Sequence, residues 1–327
     1  MTSCALLFPG QGSQEAGMGR ELAEARPEAM TLWKRAEAIS GLPLREIYWE
    51  GDAAAMSDTR ALQPALTVVN INLWRELAGK VRPCAHIAKE QRQVACAAAG
   101  HSLGEFSALA AAEVLDPETV LQIVSLRGRL MAEADPDGTG SMAAILKMKQ
   151  EDVEALAREA AVEADALLIV ANYNTPAQFV VSGHRDAVAL ACQKAKEHRG
   201  RAIELKVSGA FHSPMMEKAS RELEPLLRKA VWRKPQFPVY CNLHGRAVTD
   251  GESAKESLLK QMTSSVLWIE TVRNQYADGV RRWVEVGPKA VLGKMVPACL
   301  NHLDEAARQE LRVELVNSLE SVENFSA

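Results

Sequence analysis

Short apolar runs and amphipathic stretches alternate along the first third of the chain. Cys4–Phe8 is apolar and ends at Pro9-Gly10, a pattern typical of a buried strand that enters a loop. Val94–Ala99 is a second apolar run, and an Ala- and Leu-rich helix is predicted from just after it to about Ala112. The remaining pattern predicts helices over Glu28–Ile39, Pro64–Ala78 and Val120–Met131, and a polar surface excursion over residues 80–93. Strand, glycine turn and helix in this order predict an α/β fold.

The pattern changes after Gly138-Thr-Gly140. Apolar positions there follow the order strand, helix, strand, strand, helix, strand, which is that of ferredoxin-like folds. The strand candidates are Met142–Met148, Leu167–Ala171, Phe179–Ser182 and Ile203–Val207, with a turn-rich connection over Asn172–Pro176. The apolar faces of the two helices consist of Val153, Leu156, Ala157 and Ala160, and of Val188, Ala191, Cys192 and Ala195.

From about Val207 the chain is predicted to return to the first unit, with Val239–Asn242 and Trp283–Val286 as further strands. A chain of 327 residues is long enough for two cores. The sequence therefore predicts a large α/β subdomain of residues 1–137 and 207–327. A small ferredoxin-like (βαββαβ) subdomain of residues 138–206 is predicted to be inserted into it.

Composition and charge narrow the range of functions. A net charge of −4 leaves no basic field of the kind that nucleic-acid binding needs. No stretch approaches the roughly 18 apolar residues of a membrane span. The six cysteines are scattered, without a Cys-x-x-Cys pair or a histidine at metal-ligand spacing, so no metal site is expected. Scattered thiols and an N-terminus without a signal-peptide pattern predict a cytoplasmic protein.

Gly100-His-Ser-Leu-Gly104 lies between the predicted strand and the predicted helix. In a G-x-S-x-G elbow the glycines permit a sharp turn, and the serine stands at its apex. Ser102 is therefore the candidate nucleophile. The backbone N–H of Leu103, at the helix N-terminus, is placed to stabilise an oxyanion. The motif indicates acyl chemistry and does not name a substrate, and a chance Gly-Ser-Gly loop is its alternative.

A serine nucleophile needs a base, and the sequence contains seven histidines. His86, His198 and His302 lie in or after polar stretches and are expected to be solvated. His101 neighbours the serine, but adjacent residues on a turn point apart, so packing or orientation is its expected task. His212 follows an alternating strand that breaks at Gly209, on a loop of the kind that carries catalytic groups. Spacing alone leaves a catalytic and a structural interpretation of His212 equally open.

Five blocks of the sequence, taken together and in order, resemble the malonyl-CoA:acyl-carrier-protein transacylase family. They are Leu7–Gln14, Gly100–Leu109, Arg127–Met131, Gly209–Met215 and Glu285–Pro288, and the likeness extends from about residue 4 to residue 298. The chain departs from the family pattern in the excursion of residues 80–93. It also departs at Lys289, where a second glycine after the proline is usual. Neither departure touches a catalytic role.

This resemblance implies an α/β-hydrolase-like large subdomain with the ferredoxin-like unit inserted. It also implies ping-pong transfer, in which Ser102, activated by His212, attacks the malonyl thioester and coenzyme A leaves. The phosphopantetheine thiol of acyl carrier protein then takes the malonyl group, supplying malonyl-ACP for fatty acid synthesis. In this family a backbone carbonyl holds the histidine, so a dyad is expected. The enzyme is expected to need no cofactor of its own.

The same resemblance implies roles for further residues. Gln11 would give a second oxyanion N–H beside that of Leu103. Arg127 would bind the malonyl carboxylate with two parallel charge-assisted hydrogen bonds, whereas a solvated surface arginine is the alternative on sequence alone. Arg129 is expected to face elsewhere. The other substrate-site residues are Gln261, whose backbone carbonyl supports the histidine, Phe211, which would crowd an α-methyl group, and His101.

The expected partners are malonyl-CoA and acyl carrier protein, with no nucleic acid and no membrane, and the enzyme is expected to be a monomer. Carrier protein is acidic, so a basic rim should steer it. A cluster near the end of the inserted unit could serve, and an ordinary solvated helix face is an equal alternative. The cluster consists of Lys194, Lys196, Arg199, Arg201 and Lys206.

Three other functions compete with malonyl transfer for fatty acid synthesis. A trans-acting acyltransferase of a polyketide synthase would use the same catalytic residues. A serine esterase or thioesterase would need no substrate carboxylate, so simple esters would still react after Arg127→Ala. A non-catalytic binding module is disfavoured because Ser102, His212 and Arg127 occur together.

Overall fold

The structure is a computed structural model that describes residues 3–80 and 96–326. A six-stranded sheet has the order β10-β9-β1-β2-β7-β8, and only β8 runs antiparallel to its neighbour. Its strands are β1 (Ser3–Phe8), β2 (Cys96–Gly100), β7 (Val239–Tyr240), β8 (Ala247–Val248), β9 (Val280–Val286) and β10 (Arg312–Val316). A mostly parallel sheet connected through helices confirms the predicted α/β class.

Strand β1 lies at the centre of this sheet, between β2 and β9. Phe8 pairs with Gly100 on one side, and Leu7 pairs with Glu285 on the other. Because the carboxyl ends of parallel strands meet at one edge, the loops after all three strands converge there. These loops carry parts of three of the sequence blocks singled out above: residues 9–14, 101–104 and 287–288.

The helices of residues 20–133 and 217–323 pack around this sheet. Helix α4 begins at Thr59, five residues before the predicted start, because Asp58 accepts a hydrogen bond from the N–H of Arg60 and caps it. The helices are α1 (Arg20–Ala25), α2 (Pro27–Ser40), α3 (Leu44–Trp49), α4 (Thr59–Ala78), α5 (Gly104–Ala111), α6 (Pro117–Glu133), α9 (Glu217–Lys229), α10 (Gly251–Gln261), α11 (Trp268–Ala277), α12 (Met295–Cys299), α13 (Glu305–Gln309) and α14 (Leu319–Glu323).

A second sheet is antiparallel and has the order β4-β5-β3-β6. Its elements follow the chain as β3 (Gly140–Leu146), α7 (Gln150–Glu163), β4 (Leu168–Thr175), β5 (Gln178–His184), α8 (Arg185–Glu197) and β6 (Arg201–Glu204). One buried cluster joins Ala5 and Leu7 of the first sheet to Phe179 and Val181 of the second. The core is therefore continuous between the sheets, and the division of the chain at residues 138 and 206 stays a prediction.

Two sequence expectations in this region were wrong. Asn172–Thr175, expected to be a turn, continues β4, because the N–H of Tyr173 donates to the carbonyl of Val266 at 3.0 Å and this pairing outweighs turn propensity. The expected strand Ile203–Val207 ends at Glu204, and Ile203 is 39% exposed on an edge strand.

The predicted excursion of residues 80–93 lies, apart from Lys80, outside the described residues, as do Cys84, His86 and the first residues of the expected strand Val94–Ala99. In the two described ranges no helix is long and apolar enough to cross a bilayer.

Candidate active site

Ser102 stands on the turn between β2 and α5 with a backbone φ of 51°, a left-handed conformation that costs a non-glycine residue about 1–3 kcal/mol. Two glycines make this turn possible. A Cβ on Gly104 would lie 1.9 Å from the carbonyl oxygen of Phe8, and one on Gly100 would lie 1.9 Å from the carbonyl carbon of Gly104. The elbow is therefore wedged against the end of β1, which raises the serine side chain above the sheet edge.

Asn242 holds the elbow through two hydrogen bonds, a role that the sequence analysis did not predict. Its Oδ1 accepts a hydrogen bond from the N–H of Ser102 at 2.6 Å, and its Nδ2 donates to the carbonyl of Gly100 at 2.6 Å. The side chain is fully buried. The sequence signal for this role is that Asn242 ends the predicted strand Val239–Asn242. A polar residue at this position lies at the sheet edge where the loops converge.

His212 lies directly against the serine. Its Nε2 is 2.7 Å from Ser102 Oγ, and its Nδ1 is 3.1 Å from the carbonyl oxygens of Gln261 and Ser264. Carbonyl oxygens only accept, so Nδ1 carries the proton and Nε2 is the free base that accepts from the serine hydroxyl. Two backbone carbonyls thus orient the imidazole, where many serine enzymes use a carboxylate.

Burial, together with the nearby Arg127 and His101, lowers the pKa of His212 to about 3, against the two carbonyls that raise it. The imidazole is 4% exposed and its backbone has a φ of 56°, so both members of the dyad occupy left-handed backbone. Strain of this kind persists only where the surroundings impose it. The histidine is therefore held neutral and ready to accept a proton.

Arg127 reaches the same point from helix α6. Its side chain is 1% exposed, its Nη2 donates to Ser102 Oγ and to Gln261 Oε1, both at 3.2 Å, and its Nη1 donates to Gln63 Oε1 at 2.9 Å. Burial lowers its pKa to about 10, although Glu105 opposes the shift, so the guanidinium stays charged at neutral pH. Its Nε has no hydrogen-bond partner in the described part of the chain. Arg129, two residues on, is exposed as expected.

Gln261 connects these groups through its side chain as well as its backbone. Its Nε2 donates to the carbonyl of Ser102 at 3.0 Å and to Glu105 Oε2 at 2.7 Å. Burial raises the pKa of Glu105 to about 7, against the hydrogen bond from Gln261. Sequence reasoning missed Glu105 because a glutamate in the first turn of a helix is ordinarily a solvated residue that favours the helix dipole.

The loop after β1 brings Gln11 beside the elbow. A Cβ on Gly10 would lie 3.5 Å from the backbone nitrogen of Leu103, so the two loops are in contact. Within residues 3–80 and 96–326, the N–H groups of Gln11 and Leu103 have no hydrogen-bond acceptor. Two such N–H groups near a nucleophile can stabilise an oxyanion.

Glu285, on the neighbouring strand β9, holds a turn that packs against the loop after β1. Its buried carboxylate accepts hydrogen bonds from the N–H groups of Val291, Leu292 and Gly293 at 2.7–3.0 Å. The turn that it holds begins at Gly287, where an added Cβ would lie 2.3 Å from the ring of Pro9. The Glu285–Pro288 block therefore supports the position of the loop that carries Gln11.

A cavity of about 120 Å³ opens at Ser102 Oγ. Arg127 and Gln63 supply polar groups, and the other walls are mainly apolar, formed by Met131, Met142, Leu205, Val207 and Phe211. A small apolar space that ends in a guanidinium fits a short acyl chain with a terminal carboxylate. Leu205 and Val207 were expected in a strand; the chain leaves the sheet before them and directs them to this cavity.

His101 also borders the cavity. Its Nε2 donates to Asn174 Oδ1 at 2.8 Å, and its ring lies 5.5 Å from that of Trp268. Burial lowers the pKa of His101, against the hydrogen bond to Asn174, and so favours the neutral imidazole. These contacts fix the ring beside the nucleophile, in line with packing or orientation.

The remaining described histidines lie away from the dyad: His184, His198 and His302 are exposed, and His244 is half-buried beside Ser257. Among the described residues no group of His, Cys, Asp and Glu could hold a metal ion.

An α/β fold with a strained serine elbow, a histidine base and paired backbone N–H groups defines an acyl-transferring serine enzyme. The chain belongs to the acyl transferase domain family, whose family model matches residues 5–319. The resemblance seen in the sequence is thereby confirmed, and the protein is an acyltransferase.

The chain is similar to curated malonyl CoA-acyl carrier protein transacylases. It is 38% identical to that of Bacillus subtilis over 297 residues, covering 90% of each chain. It is 34% identical to that of Escherichia coli K12, covering 95% of this chain and 97% of the other.

Solved structures agree with this likeness. An acyl carrier protein S-malonyltransferase from Vibrio cholerae matches with a TM-score of 0.86 and 33% identity, covering 98% of this chain and 99% of that one. A type II PKS acyl-carrier protein in complex with its malonyl-transacylase matches with a TM-score of 0.87 and 32% identity over 98% of each chain.

Proposed function

We propose that this enzyme transfers a malonyl group from malonyl-CoA to the phosphopantetheine thiol of acyl carrier protein through an ester on Ser102. The observation that carries the proposal is the position of Arg127, whose buried guanidinium lies 3.2 Å from the nucleophilic oxygen. An acyl group bound to that oxygen has its carboxylate within reach only if the chain is short. The curated relatives named malonyl CoA-acyl carrier protein transacylase support the same substrate pair.

In the first half-reaction His212 Nε2 takes the hydroxyl proton as Ser102 Oγ attacks the thioester carbonyl. The oxyanion forms against the N–H groups of Gln11 and Leu103. Collapse breaks the C–S bond, and the imidazolium returns its proton to the departing thiolate of coenzyme A. The carbonyls of Gln261 and Ser264 stabilise the imidazolium while it exists.

In the second half-reaction the phosphopantetheine thiol occupies the position that coenzyme A left. His212 accepts its proton, the thiolate attacks the malonyl ester, and the proton is returned to Ser102 Oγ. The ester is thus formed and broken by one base in a ping-pong cycle. All groups that move protons belong to the chain or to its substrates, so we propose that the enzyme needs no cofactor of its own.

We infer that Phe211 favours malonyl over methylmalonyl groups. Its side chain is 5% exposed and lines the cavity, and the hydroxyl of Ser182 donates to its backbone carbonyl at 2.7 Å. An added α-methyl would press on this fixed ring. One methyl group is worth about 1–3 kcal/mol, so we expect a preference of moderate size.

For the carrier, we propose the protein of fatty acid synthesis, and we place the enzyme in the cytoplasm as a monomer. The thiols of Cys192, Cys241 and Cys299 form no disulfide, which fits a reducing compartment. The structural likeness to a malonyl-transacylase with a type II PKS carrier supports a polyketide carrier as the second candidate. Transfer rates with each carrier protein distinguish them.

The proposal is tested by intact mass after brief incubation with malonyl-CoA or acetyl-CoA. We expect a malonyl-sized gain on the wild type and on Arg129→Ala, the matched control on the same helix, and none on Ser102→Ala. Arg127→Ala should be labelled by malonyl-CoA at least about tenfold more slowly, because a charge-assisted contact is lost. Equal labelling of the wild type by both donors would contradict the assigned role of Arg127.

A further inference from the structure

Glu105 and Arg127 form a buried pair of opposite charges joined by one amide. Both side chains are 1% exposed. The guanidinium donates to Gln261 Oε1 at 3.2 Å, and Gln261 Nε2 donates to Glu105 Oε2 at 2.7 Å. The amide dipole therefore points its oxygen at the cation and its N–H at the anion. This arrangement stabilises both charges without direct contact.

The surroundings of Glu105 leave Arg127 as its balancing charge. Oε2 also accepts from the backbone N–H of Asn242 at 3.3 Å, and the thiol of Cys241 contacts the carboxyl group. On the catalytic side, burial lowers the pKa of both His212 and His101, which favours their neutral forms. Oε1 of Glu105 is buried and has no hydrogen-bond partner in the described ranges.

Binding of a second carboxylate changes this balance. The malonyl carboxylate must lie against Arg127, so one buried cation would then face two buried anions. The malonyl group receives direct hydrogen bonds from the guanidinium, which hold it ionised. Glu105 is linked to the guanidinium by hydrogen bonds only through Gln261, so it is the anion that is more readily neutralised.

We propose that Glu105 is the resting counter-ion of Arg127 and takes up one proton from solvent when the carboxylate of the malonyl group binds there. This rests on the proposed function, since it needs a carboxylate at Arg127. The proton joins the unpartnered Oε1, and Oε2 continues to accept from Gln261. The bridge that positions Arg127 and Gln261 therefore keeps its geometry while the net charge of the buried site stays constant.

The structure contains a route by which that proton can reach Glu105. The Cys241 thiol interacts with both Glu105 and Ser257. Ser257 Oγ in turn lies 3.4 Å from Nε2 of His244, which is half-buried. Glu105 is thus connected through Cys241 and Ser257 to the half-buried His244.

Proton uptake is largest between the pKa of Glu105 in the free enzyme, about 7, and its higher value in the complex. Above pH 7, binding of malonyl-CoA should therefore weaken as the pH rises. Acetyl-CoA, which has no carboxylate, should show no such dependence. Glu105→Gln, which is neutral at every pH, should also show none.

The test is calorimetric titration of malonyl-CoA into Ser102→Ala, which binds without reacting, at pH 7.5 in two buffers of different ionisation enthalpy. We expect a net uptake of a substantial fraction of one proton per site. No uptake should occur in Ser102→Ala/Glu105→Gln or with acetyl-CoA. Uptake that persists in the double variant would assign the proton to another group, such as His212, and would overturn the proposal.

Two further measurements keep the result interpretable. If the double variant does not fold, the test uses the proton uptake of Ser102→Ala, measured from pH 7 to 8.5. Absence of uptake over this range contradicts the proposal. Malonyl labelling of the wild type, measured by mass, reports separately on the proposed function. Labelling without proton uptake would reject the role of Glu105 and leave the transferase assignment standing.

Discussion

Individual residues at this site are neutral or charged according to what surrounds them. His212 is kept neutral by burial and by the nearby guanidinium, whereas two backbone carbonyls orient its ring. Arg127 keeps its charge in the same buried space because Gln63, Ser102 and Gln261 accept its hydrogen bonds. The base is therefore positioned by backbone dipoles, beside a guanidinium that we propose binds the substrate carboxylate.

The lowered pKa of His212 predicts an unusual pH profile. A free histidine becomes protonated as the pH falls through about 6.5, whereas His212 with a pKa of about 3 stays a base well below that. We expect kcat/KM for malonylation of Ser102 to be constant between pH 5 and 6, measured by rapid quench and mass. A tenfold fall per pH unit below 6.5 would show that the histidine titrates normally.

The same shift affects folding. The unfolded chain binds a proton at this histidine below pH 6.5 and the folded chain does not. The stability that neutral His212 provides is therefore present above that pH and lost as the pH falls towards 3.

At the scale of elements, the site depends on how closely β1, β2 and α5 approach one another. Gly104 begins α5 directly against the last carbonyl of β1, and Gly100 ends β2 against the first turn of the helix. Side chains at these positions would separate the three elements. The elbow motif is thus a packing requirement as well as a turn requirement.

Gly104→Ala should accordingly lower both stability and activity. The new methyl group would lie 1.9 Å from the Phe8 carbonyl oxygen, so the helix must shift, at a cost of about 1–3 kcal/mol. Thermal unfolding should show a lower midpoint, and malonyl labelling of Ser102 should slow at least tenfold.

Gly79→Ala is the matched control for that substitution. Gly79 has nothing within 4 Å of an added Cβ, and its φ is −63°. It should match the wild type or exceed it slightly in stability. Equal behaviour of the two variants would contradict the packing argument.

At the scale of the whole molecule, the predicted basic cluster lies at the end of the second sheet. Lys194 pairs with Glu163 at 2.9 Å, which removes it from the predicted basic cluster. The other four members, Lys196, Arg199, Arg201 and Lys206, are exposed. They lie on the segment that leads to Leu205 and Val207, which line the cavity. An acidic carrier protein docked there would reach the same segment.

Charge reversal tests this docking site. Arg199→Glu/Arg201→Glu should raise KM for acyl carrier protein roughly two- to tenfold at low salt and leave KM for malonyl-CoA unchanged, because exposed charges contribute modestly. Lys34→Glu, an exposed lysine on α2, is the control for net charge. Unchanged carrier KM in steady-state kinetics would remove this cluster from consideration.

The sequence by itself determined the α/β class, the elbow at Ser102 and the family. These features are local, because a strand, a turn and a helix are encoded by neighbouring residues and the five blocks can be read in order. The resemblance also singled out His212 and Arg127, which the structure brings to Ser102 Oγ at 2.7 and 3.2 Å.

Only the tertiary structure decided which other residues support those groups. Asn242 lies 140 positions from the serine that it holds, and Gln261 lies 156 positions from Glu105. Leu205 and Val207 fit an alternating strand pattern but line the cavity, and Asn172–Thr175 has turn composition but pairs as a strand. Pairing, burial and electrostatic balance arise between elements that are distant in the chain, and a local pattern carries no information about such partners.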